Sequence, residues 1–278
     1  MSRIFLDSGS YKETLNFVNE IGNLEGQTTN PSLVAKNPEI KEMNLKFRNN
    51  DEILAFYKNT IQKISGLIPN GSVSIEVYAD KNSTSRDLLK QAEEMYKWIP
   101  NSHIKFPTTE AGLEAAGVFI NNGGRVNMTL VFSQEQALAV HLATQNAKKG
   151  DVFISPFIGR LEDIGQNGLE LVNNIVEMYQ ELQSPVEILA ASVRTVAQIQ
   201  TCMPIADIIT APASLWKDWE KVKSQPSPEV EFPQTTFQPI PFLNLKYNVN
   251  WRDININHDL TTAGVQKFAD DWNGLITL

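Results

Sequence analysis

Gly26-Gln27-Thr28-Thr29-Asn30-Pro31-Ser32-Leu33 reads as the junction of a strand and a helix. Gly26 to Thr29 is a short β-rich run, and Asn30-Pro31 then opens a helix, with the proline near the first turn where its missing N–H is not needed. The same alternation continues in both directions. Short β-rich runs at Ile4-Leu6, Gly26-Thr29, Val73-Tyr78, His103-Phe106, Val126-Leu130, Val152-Ser155, Glu187-Ser192 and Ala206-Thr210 are separated by longer segments of helical period. One such segment, Leu161 to Leu182, repeats Leu169, Val172, Ile175, Val176 and Tyr179 at three- and four-residue spacing. Gly150 and Asp151 punctuate a loop. Eight strand–helix units predict an α/β protein whose parallel sheet closes into a (β/α)8 TIM barrel, in preference to an open doubly wound sheet.

Length and composition fit that reading. The chain has 278 residues, and α/β barrels run to about 250 residues as one unit. Residues 1–278 are therefore expected to form a single domain. Hydrophobic residues make up 42% and charged residues 20%, which provides for a sizeable core and carries no signature of disorder. The formal net charge of -8 opposes attraction to nucleic acid or anionic lipid, both of which need basic patches. The expected partner is a small molecule. Cys202 is the one cysteine, so no intramolecular disulfide or cysteine-rich metal site can form, and a reducing compartment fits. The start of the sequence has no basic segment leading into an apolar stretch, and no run approaches the roughly 18 residues of a membrane span. The expectation is a cytoplasmic protein.

The stretch 220–257 is different, with Pro226, Pro228, Pro233, Pro239 and Pro241 close together and little periodicity. An irregular strap is predicted there. Beyond it, in 258–278, Val265, Phe268, Ala269, Trp272, Leu275 and Ile276 form one apolar face of a C-terminal helix that Thr261 or Thr262 can cap. That face must be buried on the barrel or on another subunit, as an ordinary packing helix or as a lid over the substrate. Both segments are read as appendages of the same domain.

In barrel enzymes the active site collects residues from the carboxyl ends of several strands. The polar residues follow that rule. Asp7 ends the first run and Thr28, Thr29 and Asn30 end the second, while Glu76 lies late in the third between Ile75 and Val77. Lys105 sits in the fourth between Ile104 and Phe106. Asn127 and Thr129 share one face of the fifth by their spacing. Ser155 closes the sixth, with Arg160 five residues on, and Ser192 and Arg194 close the seventh. Each has a plain structural alternative: Asp7-Ser8-Gly9 as a turn, Thr28 to Asn30 as helix capping. Lysine is rarely buried unless paired, so Lys105 in an apolar run is the most informative residue, with an outward-snorkelling side chain or an ion pair to Glu76 as its alternatives.

His103, His141 and His258 are scattered without paired ligand spacing, so no metal is expected. No G-x-G-x-x-G or P-loop string occurs, and no nucleotide or other cofactor is expected. What remains is an inward lysine with carboxylates and two arginines. A desolvated amine can attack a carbonyl while carboxylates move protons, and arginines with serine hydroxyls suit a phosphate.

On these residues the chain resembles the transaldolase family. The match runs through Phe5-Leu6-Asp7, Gln27 to Leu33, Ile104-Lys105-Phe106-Pro107, Val126-Asn127-Met128-Thr129-Leu130, Ser155-Pro156-Phe157-Ile158-Gly159-Arg160-Leu161 and Ala191-Ser192-Val193-Arg194, in family order over about residues 3 to 215. The resemblance implies that Lys105 forms a Schiff base with a ketose C2 carbonyl and that Asp7 removes the C4 hydroxyl proton. It implies that Glu76 with Thr129 holds a water for proton transfers, and that Asn30, Asn127 and Ser155 hold the retained three-carbon unit, with Thr28 and Phe157 lining its site. Arg160, Ser192 and Arg194 match the phosphate set. Transaldolases have glutamate and phenylalanine where related fructose 6-phosphate aldolases have glutamine and tyrosine, and Glu76 and Phe157 fall on the transaldolase side. The expected partners are sugar phosphates. A non-catalytic sugar-phosphate-binding protein would need the arginines but has little use for Lys105, Asp7 and Glu76 together. Segment 220–257 departs from the family pattern and leaves the subunit count open, a homo-oligomer included.

Overall fold

The computed structural model describes residues 2–223 and 236–277. Among them, eight strands form a closed parallel barrel in chain order: β1 (Arg3–Asp7), β2 (Gly26–Thr28), β3 (Ser72–Glu76), β4 (Ser102–Pro107), β5 (Val126–Val131), β6 (Val152–Pro156), β7 (Glu187–Ala190) and β8 (Ile208–Ala211). The helices that follow β1 to β3 are α1 (Tyr11–Glu20), α2 (Pro31–Ala35), α3 (Pro38–Glu42), α4 (Asn50–Leu67) and α5 (Ser85–Met95). After β4 to β8 come α6 (Glu110–Asn121), α7 (Gln134–Ala143), α8 (Ile158–Glu162), α9 (Gly168–Glu181), α10 (Val196–Cys202) and α11 (Ala213–Val222). The last helix is α12 (Asp259–Asn273). The (β/α)8 barrel expected from the strand–helix alternation is the fold observed.

Local chemistry explains the boundaries. Ser10, Asn30, Thr84, Thr109, Ser133 and Thr195 each accept a first-turn amide at the start of the following helix, so these loops leaving the strands end in caps. Every residue of β4 and β5 is buried, as parallel strands covered by helices on one face and a filled barrel on the other must be.

Several boundaries differ from the sequence reading. β3 stops at Glu76 rather than Tyr78, because the Tyr78 amide is taken by the Gln91 side chain at 3.0 Å. β7 stops at Ala190, two residues before Ser192, whose φ of 55° leaves the extended region. β8 starts at Ile208, since the Ala206 amide closes the turn after α10 on Cys202 O at 2.8 Å. The helical pattern Leu161 to Leu182 is two helices, broken where Gly165 turns left-handed (φ 79°) and Asn167 caps α9.

Two larger features surround the carboxyl end of the barrel. In the irregular segment, α11 continues to Val222, so Glu220 is helical. Pro226, Pro228 and Pro233 lie outside the described residues. From 236 to 257 the chain holds one three-residue 3-10 turn, Trp251–Asp253, and straps the helices by paired hydrogen bonds. Gln134 exchanges two with Leu243, both 2.9 Å, Asn174 donates to Ile240 O at 2.8 Å, and Gln136 donates to Ile256 O at 2.9 Å.

The terminal helix α12 is capped by His258, whose ring nitrogen accepts the Leu260 amide at 3.2 Å, and not by Thr261 or Thr262. Thr261 is instead buried, donating to Leu130 O at 2.9 Å and accepting from Gln136 at 2.8 Å. That carbonyl is available because β5 bulges between Met128 and Val131, with Leu130 at φ 61°. Thr261→Val keeps the shape but orphans two buried polar groups, and should lower stability by about 1–3 kcal/mol. Urea unfolding with an unchanged m-value should show the loss as a lower midpoint. A wild-type midpoint would mean that α12 is not docked through this contact.

Candidate active site

The register of the sheet assembles the centre. β3 and β4 pair Glu76 with Lys105, and β4 and β5 pair Lys105 with Asn127 and Pro107 with Thr129. Residues paired across a parallel sheet share a face, and here that face is the barrel interior. Lys105 is 3% exposed and Glu76 4%. Lys105 Nζ lies 2.9 Å from Glu76 Oε2, off the line a good hydrogen bond to that oxygen needs, and donates to Thr29 O at 3.3 Å. The ion pair named as an alternative from sequence is therefore present. Desolvation raises the Glu76 carboxyl above its ordinary value, with Lys105 and, more weakly, Arg160 pulling it down. Beside the pair runs a hydrogen-bonded row: Asn127 donates to Ser74 Oγ at 3.1 Å and accepts from Ser155 Oγ at 2.7 Å. Thr129 Oγ1 is buried with no hydrogen-bond partner among the described residues.

Asp7 faces Lys105 from the other side. It is half-buried by exposed area, yet protein surrounds it closely enough that desolvation raises its pKa, against Lys105 and a 2.7 Å hydrogen bond from Thr28. Thr28 Oγ1 also lies 2.6 Å from Thr210 Oγ1. A hydroxyl has one proton, and Asp7 takes that of Thr28, so Thr210 donates to Thr28.

Above these groups opens a cavity of about 220 Å³. Of the residues singled out from sequence, Asp7, Thr28, Asn30, Lys105, Ser155, Phe157, Arg160 and Ser192 line it. Glu76, Asn127 and Thr129 are buried and do not reach its wall. Asn30 caps α2 through its oxygen at 2.8 Å, leaving its amide nitrogen without a partner among the described residues. A larger cavity, about 730 Å³, opens at the opposite rim around Arg3, His103 and Arg125. Arg3 lies 2.8 Å from Glu187 and Arg125 donates to Pro100 O at 2.7 Å, while Arg3 Nη2 and Arg125 Nε have no hydrogen-bond partner among the described residues. Burial pushes His103 down to about 3, so it is a neutral packing residue stacked on Phe153. The candidate residues gather at the smaller cavity.

At the mouth, the three phosphate candidates separate. The Arg160 guanidinium lies 5.3 Å from the Phe157 ring centre and 5.4 Å from that of Phe268, with no ion-pair or hydrogen-bond partner among the described residues. Ser192 lines the cavity in left-handed backbone, a strain of about 1–2 kcal/mol for a residue with a Cβ. Arg194 does not line it: both guanidinium nitrogens hold Asp163, one at 2.7 Å, and its side chain is half exposed.

The sequence reading missed Ser32, Lys36, Thr210, Lys267 and Phe268, all on the cavity wall. Lys36 has no partner among the described residues, whereas Lys267 is paired with Asp271 one turn on. Phe268 was read as part of a packing face, and it is, but it also covers Arg160. Among the described residues no group of three or more His, Cys, Asp or Glu side chains could hold a metal ion, and no helix is long and apolar enough to cross a membrane.

Comparison with known proteins agrees with this geometry. Residues 4–278 match the family model described as transaldolase/fructose-6-phosphate aldolase. A probable transaldolase of Dehalococcoides mccartyi is 40% identical over 192 residues, covering 69% of this chain and 77% of that protein. A probable transaldolase of Geobacillus sp. is 32% identical over 272 residues, covering 98% of both. One of Chlorobaculum parvum is 40% identical over 216 residues, or 77% of this chain and 89% of its own. A buried lysine between two carboxylates, at the carboxyl end of a parallel barrel and within a match spanning nearly the whole sequence, places this chain in the transaldolase/fructose-6-phosphate aldolase family.

Proposed function

We propose that this protein is a transaldolase of pentose phosphate metabolism in the cytoplasm. It would move a three-carbon ketol unit from sedoheptulose 7-phosphate to glyceraldehyde 3-phosphate, giving erythrose 4-phosphate and fructose 6-phosphate. The observation that carries the proposal is the buried Lys105 amine with Glu76 on one side, Asp7 on the other and the unpaired Arg160 at the mouth.

In this reading Lys105 gives a proton to Glu76, 2.9 Å away, and attacks the ketose C2 carbonyl. Glu76 and Thr129 move protons through a water as the carbinolamine loses hydroxide and the imine forms. Asp7 then takes the C4 hydroxyl proton. The C3–C4 bond breaks with its electron pair passing into the protonated imine, and the aldose phosphate leaves. Attack of the enamine carbon on a new aldehyde reverses these steps, and hydrolysis of the imine releases the product ketose. Asn30 and Ser155, on the cavity wall, hold the hydroxyls of the retained unit, and Asn127, which does not reach that wall, orients Ser155 by accepting its hydroxyl proton at 2.7 Å. The imine is the electron sink, so the residues need no cofactor to complete the cycle.

Arg160 and Ser192 bind the phosphate directly in this account, and Arg194 joins them only by leaving Asp163. Arg160→Ala should weaken phosphorylated substrates by about 2–4 kcal/mol, the scale of losing a charged hydrogen-bonded partner, and leave dihydroxyacetone almost unaffected. Asp163→Asn should tighten phosphorylated substrates by freeing Arg194, and Arg194→Ala should remove that gain. Measured KM values for charged and uncharged ketoses check all three; equal losses for both would make these arginines structural.

What surrounds the enamine supports transfer over release. Phe157 lines the cavity with its ring centre 6.0 Å from Lys105 Nζ and offers no proton. Phe157→Tyr adds a hydroxyl at nearly the same volume, able to protonate the enamine or order a water beside it. The ratio of free dihydroxyacetone to ketol transferred from fructose 6-phosphate should rise about tenfold, which needs only about 1.4 kcal/mol between competing barriers. An unchanged ratio in a folded variant would make Phe157 a packing residue. A wild type that mainly releases dihydroxyacetone would make the enzyme an aldolase.

A further inference from the structure

The seam between β2 and β3 ends early, and its end bears on the lysine. β2 and β3 pair only from Gly26/Ser72 to Thr28/Ser74, and the last sheet-like bond is from Thr29 N to Ser74 O at 3.2 Å. Beyond that point the next inward carbonyl of this edge, Thr29 O, turns to Lys105 Nζ instead of to β3. The Glu76 amide on β3 thereby loses its neighbour on β2. It donates to the Tyr57 hydroxyl of α4 at 3.1 Å.

The direction of the remaining bonds is fixed by proton count. Thr29 Oγ1 donates its one proton to Ser74 O at 2.7 Å. In its contact with Tyr57 it must therefore accept, and Tyr57 is the donor. The run Glu76 N–H to Tyr57 O–H to Thr29 Oγ1 to Ser74 O closes the open end of the seam with side chains in place of a strand. Burial raises the Tyr57 phenol above its ordinary value, which keeps its proton in place. The ring is fully buried and held edge-on by Trp98 at 5.8 Å and by Trp272 of α12 at 5.9 Å.

We infer that Tyr57 is a positioning residue for the Lys105–Glu76 pair: its hydroxyl substitutes for the missing β2 contact, fixing the Glu76 backbone while freeing Thr29 O to orient the Lys105 amine. The inference deepens the proposed Schiff-base reaction and rests on it. Tyr57 touches no substrate, since it does not line the cavity. Its effect passes through Glu76 and Thr29.

The test is steady-state ketol transfer from fructose 6-phosphate to erythrose 4-phosphate across pH, for wild type, Tyr57→Phe, Thr29→Val, Thr29→Ser and Trp98→Phe. Tyr57→Phe keeps the ring and removes the hydroxyl. It should lower kcat about tenfold, equivalent to about 1.4 kcal/mol, with KM within about twofold. Lys105 lowers the Glu76 pKa, so a carboxylate that drifts from the lysine titrates higher, and the acid limb of the kcat profile should move to higher pH. Thr29→Val, which removes the hydroxyl that Tyr57 donates to, should do the same, and Thr29→Ser should restore the wild-type profile. Trp98→Phe disturbs the ring's packing alone and should lower Tm without moving the limb. If Tyr57→Phe does not fold, the Thr29 pair decides by the same readings. A Tyr57→Phe or Thr29→Val enzyme with wild-type kcat and pH profile overturns the inference, whatever its Tm. A wild type that neither transfers nor releases the ketol overturns the proposed reaction itself.

Discussion

A lysine and a glutamate are held 2.9 Å apart inside the barrel, each almost without exposure, and much of the surrounding structure exists to make that tolerable. Removing two charges from water costs several kcal/mol per ion, and their attraction offsets this only when the geometry is held and the remaining polar atoms are answered. Register provides the geometry, because Glu76 and Lys105 are paired neighbours on β3 and β4. Thr29 O answers the amine and the neighbouring row of Ser74, Asn127 and Ser155 satisfies its own hydrogen bonds, while Glu76 Oε2 and Thr129 Oγ1 have no hydrogen-bond partner among the described residues. Asp7 completes the set from β1 with Thr28 and Thr210 behind it. The same burial that makes the pair costly raises the Asp7 and Glu76 carboxyls, as the proposed proton transfers require.

The mouth of the barrel is closed by parts far apart in the chain. The bulge at Leu130 turns a carbonyl outward to Thr261, Ser32 holds Asp271, and Asn50 accepts from the Trp272 indole at 3.1 Å, so α12 is fastened to β5, α2 and α4. This brings Phe268 against Arg160 and Lys267 to the cavity wall. The terminal helix packs on the barrel and also lends Lys267 and Phe268 to the cavity wall. The strap from 236 to 257 braces α7 and α9 from outside, where it exchanges backbone and side-chain hydrogen bonds without touching the cavity of Lys105.

Much of this was legible in the sequence because it is local. Strand positions followed from short β-rich runs, and the polar residues that end those runs are on the cavity wall or directly beneath it, from Asp7 to Ser192. Position and the family resemblance group Arg194 with Arg160; its engagement with Asp163 depends on where the α8 loop passes, which no spacing reveals. Lys36 and Lys267 look like ordinary surface lysines until α2 and α12 are brought to one cavity. Thr261 looked like a cap because the pattern T-T precedes an apolar face, but His258 takes that role and the threonine serves a carbonyl 131 positions away. Tyr57 sits in an unremarkable helix, and its meaning appears only with the early end of the β2–β3 pairing.

The central claim is that Lys105 carries the substrate covalently. Borohydride reduction in the presence of fructose 6-phosphate, followed by intact mass and peptide mapping, tests it most directly. The account predicts one reduced three-carbon adduct per chain, on the peptide containing Lys105, and neither adduct nor activity in Lys105→Arg, which keeps the charge but cannot form the imine. An adduct on another lysine, or full activity in Lys105→Arg, would contradict it.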